Sequence, residues 1–238
     1  MLLYYVRHGD PIYSPDCLTP LGKRQAEAVA KRVARHGLDK IYVSTSTRAK
    51  ETAQPTCEIL KMEAEELDWT NEKYAWDDFS VEEKDGYKQW MFLLPKYREL
   101  LNNEEIRSLG DNWYDHPDFK DTNFKNGLCR IKDEADKFLE TLGYKHDRKR
   151  HLYISEKPND KRIALFAHQG FGVLFLSSVL DVCMPQFVTH FDICHSSVTV
   201  IEFRDMGGIT VPTVLTLGND SHIYAEGLPT KYNNRIFI

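Results

Sequence analysis

The stretch LLYYVRHG, residues 2–9, decides the fold. Residues 2–6 form a short, unbroken apolar run, which is typical of a strand buried on both faces of a parallel sheet. A second run, IALFA at residues 163–167, is followed by HQG at residues 168–170. We predict that both runs are strands of one sheet and that the second lies at its centre.

Helical patterns alternate with these strands. Thr19 is a good N-cap and Pro20 suits a first helical position, while Pro55 in a later helix predicts a kink or a position where a donor is already lost. Strands alternating with helices predict a three-layer α/β/α sandwich with a mostly parallel sheet. The remaining predicted elements are strands at 41–43, 198–203 and 211–217 and helices at 20–36, from 48 onward, at 128–142 and at 173–180.

Two local predictions are less regular. Residues 151–155 and 161–167 are predicted to pair as a hairpin across Pro158-Asn159-Asp160. A helix is predicted around residues 89–101.

An aromatic-rich segment interrupts the α/β alternation. All four tryptophans lie within residues 69–127 or at their edge. We predict a single domain over residues 1–238, with residues 73–127 as an inserted, cap-like segment over the active site. Most of its aromatic side chains are expected to pack the core, because aromatic rings usually supply buried area. The alternative is that some of them line a pocket.

Composition excludes several classes of protein. The 238 residues carry 31 basic and 36 acidic side chains, so the formal charge is 31 − 36 = −5. That balance does not suit general nucleic-acid binding. No apolar run is long enough for a membrane span, and no leader peptide is recognisable. Five cysteines without paired or zinc-like spacing favour a reducing, cytoplasmic compartment. The sequence makes no prediction of oligomeric state.

The ends of the two principal strands carry the chemistry. His8 follows the first strand and His168 follows the central one, and ligands of open α/β sheets bind at this edge. Arg7 adjoins the first histidine, and Arg48 begins the helix after the second strand. Two arginines and two histidines around one crevice suit a phosphoryl group, since guanidinium forks bind its oxygens with charge-assisted hydrogen bonds.

A histidine without a serine, cysteine or metal partner can itself be the nucleophile. Flanking arginines lower the pKa of an imidazole and keep it neutral. A second histidine, if protonated, would stabilise charge on the phosphoryl oxygens, and a general acid would protonate the leaving alkoxide.

These residues sit in motifs that resemble the histidine phosphatase superfamily, which includes cofactor-dependent phosphoglycerate mutases. VRHG at 6–9 resembles its RHG signature, and LTPLGKRQA at 18–26 resembles its LTxxGxxQA helix. The resemblance continues through Arg48-Ala49, AHQG at 167–170, HSSVT at 195–199 and LGND at 217–220. It covers roughly residues 1–76 and 161–225.

The resemblance implies a role for each matched residue. His8 would be the phospho-accepting nucleophile, and Arg7, Arg48 and His168 would complete the phosphate pocket. Gly9 and Gln169 are placed with them as phosphate-binding residues. Glu72 fits the location of the family's acid/base, with Asp77, Asp78 and Glu82 as competitors, and the alternative is that it is one more exposed carboxylate. No metal and no cofactor are expected.

The departures from the family pattern bear on the reaction. The asparagine of the loop after RHG has no counterpart at residues 11–16, Gln169 replaces a glycine, Ala167 replaces a serine, and the G-x-W-E-G pattern is absent. The predicted function is therefore phosphomonoester hydrolysis through phosphohistidine on a small phosphorylated substrate. The alternatives are a phosphoglycerate-mutase-type transfer and a catalytically silent protein that binds a phosphorylated ligand.

Overall fold

The fold is taken from a computed structural model that describes residues 1–83 and 86–232. The strands are β1 (Leu2–Arg7), β2 (Pro11–Tyr13), β3 (Asp16–Leu18), β4 (Lys40–Val43), β5 (Ala64–Glu66), β6 (Ser80–Glu82), β7 (Lys88–Trp90), β8 (Tyr144–Asp147), β9 (Leu152–Ser155), β10 (Arg162–Ala167), β11 (Val198–Glu202), β12 (Ile209–Thr210) and β13 (Thr213–Asn219). The helices are α1 (Pro20–Val33), α2 (Thr47–Leu60), α3 (Glu72–Phe79), α4 (Pro95–Leu101), α5 (Glu104–Ser108), α6 (Phe124–Thr141), α7 (Gln169–Leu180), α8 (Met184–His190) and α9 (Ser221–Ala225).

The main sheet has the strand order β13-β11-β1-β10-β4-β5. The strands β1, β10, β4 and β5 are parallel to their neighbours in this group. β11 is antiparallel to both β1 and β13. The prediction of a mostly parallel sheet with residues 163–167 at its centre is confirmed.

Side chains of β1 divide the core into two layers. Leu3 and Tyr5 pack into a cluster that includes Phe175 of α7 and residues of α6. Val6 points to the opposite face, where it joins Val29 of α1 and residues of α2. Alternate residues of a strand face opposite sides of the sheet, so each side needs its own cover of helices. The α/β/α sandwich is confirmed.

The predicted hairpin between residues 151–155 and 161–167 is wrong. β9 pairs antiparallel with β8 and β12 in a separate small sheet, whereas β10 pairs in parallel with β1 and β4. The burial patterns explain the difference. β9 alternates between buried and half-buried residues, while β10 is buried from its second residue onward and therefore belongs at the centre of the large sheet.

The predicted helix at 89–101 is shorter than expected. Lys88–Trp90 forms β7 and pairs with β6, a 3-10 turn covers Met91–Leu93, and α4 begins only at Pro95. Proline has no N–H to donate, so it suits the first turn of a helix and not its interior. In α2, by contrast, Pro55 lies inside the helix, which continues to Leu60.

The aromatic-rich segment packs mainly on α6 and α7. Trp113 and Phe124 are fully buried, and Phe79 stacks on Phe124 with a centroid distance of 5.6 Å. Core packing is thus the role of most of its rings, while Trp76 and Trp90 face a cavity described below. The bounds of the insert remain a prediction. Within the described parts of the chain, no helix has the length and apolar character that a membrane crossing needs.

Candidate active site

Two histidines meet at the carboxyl edge of the central sheet. β1 and β10 run in parallel with Arg7 opposite Ala167, so the next residues, His8 and His168, leave the sheet side by side. Their rings lie 5.2 Å apart at 62°, and both side chains are buried. The structure brings together the two histidines that the sequence places at strand ends.

The His8 imidazole is oriented by its own backbone neighbour. Nδ1 lies 2.7 Å from the Gly9 carbonyl oxygen. Because a carbonyl only accepts, Nδ1 carries the proton and Nε2 keeps its lone pair. Burial lowers the pKa of His8 well below its usual value, and His168, Arg7 and Arg48 lower it further. At neutral pH this ring is an uncharged base with an available nitrogen.

Gly9 holds the loop that carries this histidine. Its amide donates to Thr52 Oγ1 at 3.0 Å, and the Thr52 hydroxyl donates to the Arg48 carbonyl at 2.7 Å. A Cβ on Gly9 would lie 2.6 Å from the Gly22 carbonyl oxygen, so a larger residue would push the loop away from α1. The predicted contact between Gly9 and phosphate remains a prediction, because its amide already donates to Thr52.

Two guanidinium groups face the histidines. Arg48 Nη1 lies 2.8 Å from Asp16 Oδ1 and Nη2 lies 2.9 Å from Glu72 Oε2. Arg7 Nη1 donates to the Ile193 carbonyl at 2.6 Å. Each arginine is therefore held in one orientation by contacts of its terminal nitrogens.

Several buried polar atoms at this site have no hydrogen-bond partner among the described residues. They are Nε of Arg7, Nε of Arg48, and Nδ1 of His168 and of His195. Buried groups without hydrogen bonds are rare, since each costs free energy comparable to a lost hydrogen bond. Unsatisfied guanidinium donors from Arg7 and Arg48 at one site are what an anion would satisfy.

Glu72 is anchored at the start of α3. Its Oε1 accepts the Gly170 amide at 2.8 Å, its Oε2 pairs with Arg48, and Oε2 lies 3.7 Å from His168 Nδ1. Burial by itself raises the pKa of Glu72, but the electrostatic interactions with His168 and Arg48 and the Gly170 hydrogen bond outweigh it, and the net pKa is lowered. Glu72 is thus half-buried and ionised within the site, and not an exposed carboxylate.

The three competing carboxylates lie elsewhere. Asp78 Oδ2 forms an ion pair with Arg130 at 2.8 Å. Asp77 and Glu82 are exposed, and none of the three lines the cavity that contains His8. The structure therefore brings only Glu72, among the four candidates, to the two histidines.

His168 is held by hydroxyl groups on the loop before α2. Its Nε2 lies 2.8 Å from Ser44 Oγ and 3.3 Å from Ser46 Oγ. Burial lowers the pKa of His168 to about 4, although Glu72 acts in the opposite direction. His168 is neutral at pH 7 in this state, so the charged form considered from the sequence needs a nearby anion to raise its pKa.

A third histidine, His195, lies close to His8. The His195 ring lies 5.8 Å from that of His8, and its Nδ1 is 3.6 Å from Asp10 Oδ1. Burial lowers the pKa of His195 to about 3, with Arg7 acting in the same direction. The sequence places His195 in a motif but does not assign it to the site.

A cavity of about 480 Å³ opens onto His8. Gln169 borders it and donates from Nε2 to Asp192 Oδ1 at 3.0 Å. The volume falls in the range of small-molecule pockets and exceeds what one phosphate needs. The lining residues are Arg7, His8, Tyr13, Arg48, Asn71, Glu72, Lys73, Trp76, Gln89, Trp90, Leu93 and Gln169.

Three side chains at this site have the types and spacing of metal ligands. His8, Glu72 and His168 each offer one ligand atom within 4.8 Å of the others. Arg7 and Arg48 border the same space, and two fixed positive charges oppose a divalent cation. The same charges favour an anion, so the site suits a phosphoryl group better than a metal ion.

Comparison with known proteins agrees with this geometry. The model of the histidine phosphatase superfamily (branch 1) matches residues 3–98. This matched part of the chain resembles the histidine phosphatase superfamily. The match contains Arg7, His8, Arg48 and Glu72, whereas His168 lies beyond it. No curated protein sequence matches the chain.

Solved structures share the fold of this chain over most of its length. A phosphoserine phosphatase from Entamoeba histolytica, in complex with 3-phosphoglyceric acid, is 17% identical, with a TM-score of 0.59, and the alignment covers 93% of this chain and 98% of that one. A mycobacterial glucosyl-3-phosphoglycerate phosphatase is 14% identical, with a TM-score of 0.59 and coverage of 92% and 99%. A putative α-ribazole-5′-phosphate phosphatase from Escherichia coli is 16% identical, with a TM-score of 0.59 and coverage of 92% and 96%.

Sequence reasoning missed several residues that support this candidate site. Ser44 and Thr52 lie in the motif around Arg48, which is the signal that could have found them, but only the tertiary contacts show what they hold. Asp16 carries no such signal. It reaches Arg48 because the β2–β3 hairpin folds over the start of α2.

Proposed function

We propose that the protein hydrolyses small phosphomonoesters through a phosphohistidine formed on His8. The observation that carries this proposal is the state of His8. Its Nδ1 is bonded to the Gly9 carbonyl, its ring is neutral, and Arg7 and Arg48 adjoin it. An uncharged imidazole beside fixed cations is suited to attack a phosphorus atom whose oxygens those cations hold.

In the first step the lone pair of His8 Nε2 attacks phosphorus, and the bond from phosphorus to the ester oxygen breaks. Glu72 transfers a proton to the departing oxygen, which leaves as an alcohol. Burial already acts to raise the pKa of Glu72. A phosphoryl dianion that binds Arg48 weakens one of the counter-charges to this carboxylate, so the protonated form becomes accessible when substrate is bound.

In the second step a water molecule attacks phospho-His8. Its oxygen bonds to phosphorus while Glu72 takes up one of its protons, and the nitrogen–phosphorus bond breaks with its electron pair returning to Nε2. Inorganic phosphate leaves and Glu72 is again protonated for the next substrate. One carboxyl group thus serves as acid and then as base, as microscopic reversibility requires.

Arg7, Arg48 and His168 are proposed to hold the phosphoryl oxygens. Arg7 and Arg48 supply permanent charge, and His168 gains a proton or donates a hydrogen bond when the anion raises its pKa. Gln169 is proposed to close the pocket beside them, and Gly9 is proposed to act mainly by fixing the His8 loop. This arrangement needs neither metal nor cofactor.

The test is a phosphate-release screen over many phosphomonoesters, with His8→Ala as the blank. We expect release by the wild type and an acid-labile phosphoryl label on the protein, both lost in His8→Ala. A label retained in that variant would show that another residue is the nucleophile. Interconversion of phosphoglycerates stimulated by bisphosphoglycerate would identify a mutase, and phosphate binding without any release would identify a silent binding protein.

We also propose that residues 73–127 act as a cap that selects the substrate. Trp76, Gln89, Trp90 and Leu93 all come from this segment and line the cavity. Variants of these residues should change the ranking of esters in the screen more than they change the labelling of His8. An unchanged ranking would contradict the proposal.

We propose that the protein works in a reducing compartment such as the cytoplasm, without nucleic acid or membrane partners. Its five cysteines are free in the structure, and three of them, Cys57, Cys183 and Cys194, have a raised pKa caused first by burial. Thiol titration of the purified protein after denaturation without a reductant should find five free thiols, and a disulfide would contradict this assignment.

A further inference from the structure

We propose that the alcohol part of the substrate carries a flat aromatic ring that packs on Trp76 and Trp90. The inference rests on the proposed function, because the position of the ring follows from Glu72 protonating the leaving oxygen. It goes further by naming the chemical class of the leaving group.

The first step concerns the spacing of Glu72 and Trp76. Both lie on α3, four residues apart, so their side chains share one face of the helix about 6 Å apart along its axis. Both line the cavity. An ester oxygen that receives its proton from Glu72 therefore places the next atoms of the alcohol beside the Trp76 ring.

The second step concerns the residue that anchors the other oxygen of Glu72. The Gly170 amide donates to Glu72 Oε1, and a Cβ on Gly170 would overlap the Trp90 ring. Trp90 thus lies directly against the backbone that holds the acid. Its ring meets Trp76 edge to face at 5.0 Å and 85° and stacks on Phe92 at 5.3 Å. Two indoles in fixed orientation form an aromatic wall beside the leaving group.

The third step asks whether a polyhydroxylated alcohol would fit equally well. Sugar hydroxyls need side chains with both donors and acceptors, and the amides at this wall already bond to the protein. Gln89 donates to the Tyr87 hydroxyl and accepts the Trp90 amide, both at 2.9 Å. Asn71 accepts the Lys73 amide and donates to Thr45. The wall therefore offers aromatic area more readily than hydroxyl recognition.

The fourth step asks about a quaternary ammonium group, since aromatic walls also bind such cations. Lys88 Nζ lies 5.9 Å from the centroid of Trp76, and Lys73 lines the cavity. Among the described residues that line it, Glu72 is the sole carboxylate. These charges repel a cationic alcohol such as choline and leave a neutral or anionic ring as the favoured occupant.

The test measures binding separately from catalysis. Benzylphosphonate, cyclohexylmethylphosphonate and propylphosphonate cannot be hydrolysed, and calorimetry gives the Kd of each. We expect the wild type to bind benzylphosphonate about tenfold more tightly than propylphosphonate and more tightly than the cyclohexyl compound, because aromatic contacts add to the area buried. Trp76→Leu should reduce the tenfold preference to less than threefold. Trp69→Leu, a matched half-buried tryptophan outside this cavity, should retain it.

Equal affinities for the three phosphonates in the wild type would overturn the inference, as would an unchanged preference in both Trp76→Leu and Trp90→Phe. Rates with benzyl, propyl and choline phosphate separate it from the proposed function. If the protein released phosphate from all three esters at similar rates, the proposed hydrolase activity would stand and the proposed aromatic leaving group would be refuted. If the protein preferred benzylphosphonate but released phosphate from none of the esters, the aromatic binding site would stand and the proposed hydrolase activity would be refuted.

Discussion

The Gly170 amide donates to Glu72 Oε1 at 2.8 Å across a separation of 98 residues along the chain. This hydrogen bond joins the first turn of α3, which lies within the aromatic segment, to the first turn of α7, which follows the central strand. It fixes Glu72 beside His168 and Arg48, and it does so with a backbone group. The position of the Glu72 carboxylate therefore depends on how the two helices pack and on the small size of Gly170.

Glu72→Gln should slow the hydrolysis of esters with poor leaving groups about 100-fold, since general acid catalysis typically contributes 10²- to 10⁴-fold. Esters with good leaving groups, such as p-nitrophenyl phosphate, need little protonation in the first step. With these esters, Glu72→Gln should slow the labelling of His8 to a smaller extent. Single-turnover rates on both classes check this. Equal losses on both would assign Glu72 a structural role. Glu82→Gln, at an exposed carboxylate outside the cavity, is the control.

Gly170→Ala should lower the free energy of unfolding by about 1–3 kcal/mol, because the added methyl group overlaps Trp90. The amide of residue 170 is still present in this variant, so any loss of activity would come from displacement of that amide or of the Trp90 ring. Trp90→Leu makes room for the methyl group, and the double variant should lose less stability than the sum of the single ones. Urea denaturation of the four proteins measures the difference. Strict additivity would show that the ring and the methyl group do not meet.

Arg48→Lys keeps the charge and removes the fork that contacts Asp16 and Glu72. We expect phosphate, as a competitive ligand, to bind about 10- to 100-fold more weakly, since hydrogen bonds to charged groups contribute about 1.5–3 kcal/mol. Arg130→Lys alters a similar ion pair, with Asp78, outside the cavity and should leave the Kd of phosphate unchanged. Equal effects of both substitutions would contradict a specific role for Arg48.

Stability should fall as the pH drops below about 6.5, the pKa of an ordinary histidine. Burial is the main cause of the lowered pKa of His8, His168, His195 and His222, with values of about 4, 3 and 4 for the last three. The unfolded chain therefore binds more protons than the folded one below pH 6.5, and the free energy of unfolding decreases with falling pH. His146, whose pKa is raised although burial opposes the shift, contributes in the opposite direction.

The measurement is urea denaturation between pH 7 and pH 5. His222→Asn removes one of these groups and should flatten the dependence by at most about 1.4 kcal/mol per pH unit. His36→Asn, at an exposed histidine, should leave it unchanged. Stability that rises toward pH 5 in the wild type would contradict the direction of these pKa shifts.

The elements that could be predicted are those whose signal is local. The apolar runs at 2–6 and 163–167 are buried on both faces, so their patterns indicate central strands without knowledge of the partners. The pairing of residues 151–155 could not be read in the same way. The pairing of a strand depends on all the strands of the sheet. Proximity along the chain favoured a hairpin between residues 151–155 and 161–167, but β10 pairs with β1 and β4 at the centre of the main sheet.

Local sequence patterns were enough to predict the class of fold and to place Arg7, His8, Arg48 and His168 at one edge of the sheet, because these residues follow strands or begin helices and their position is a local property. Contacts in the folded chain were needed to show which carboxylate lies beside them, which ring nitrogen of His8 is available and which tryptophans line the cavity. Each of these depends on contacts between distant segments, such as Glu72 with Gly170 and Trp90 with Gly170. Such contacts form only when the layers of the sandwich pack, and no spacing along the chain encodes them.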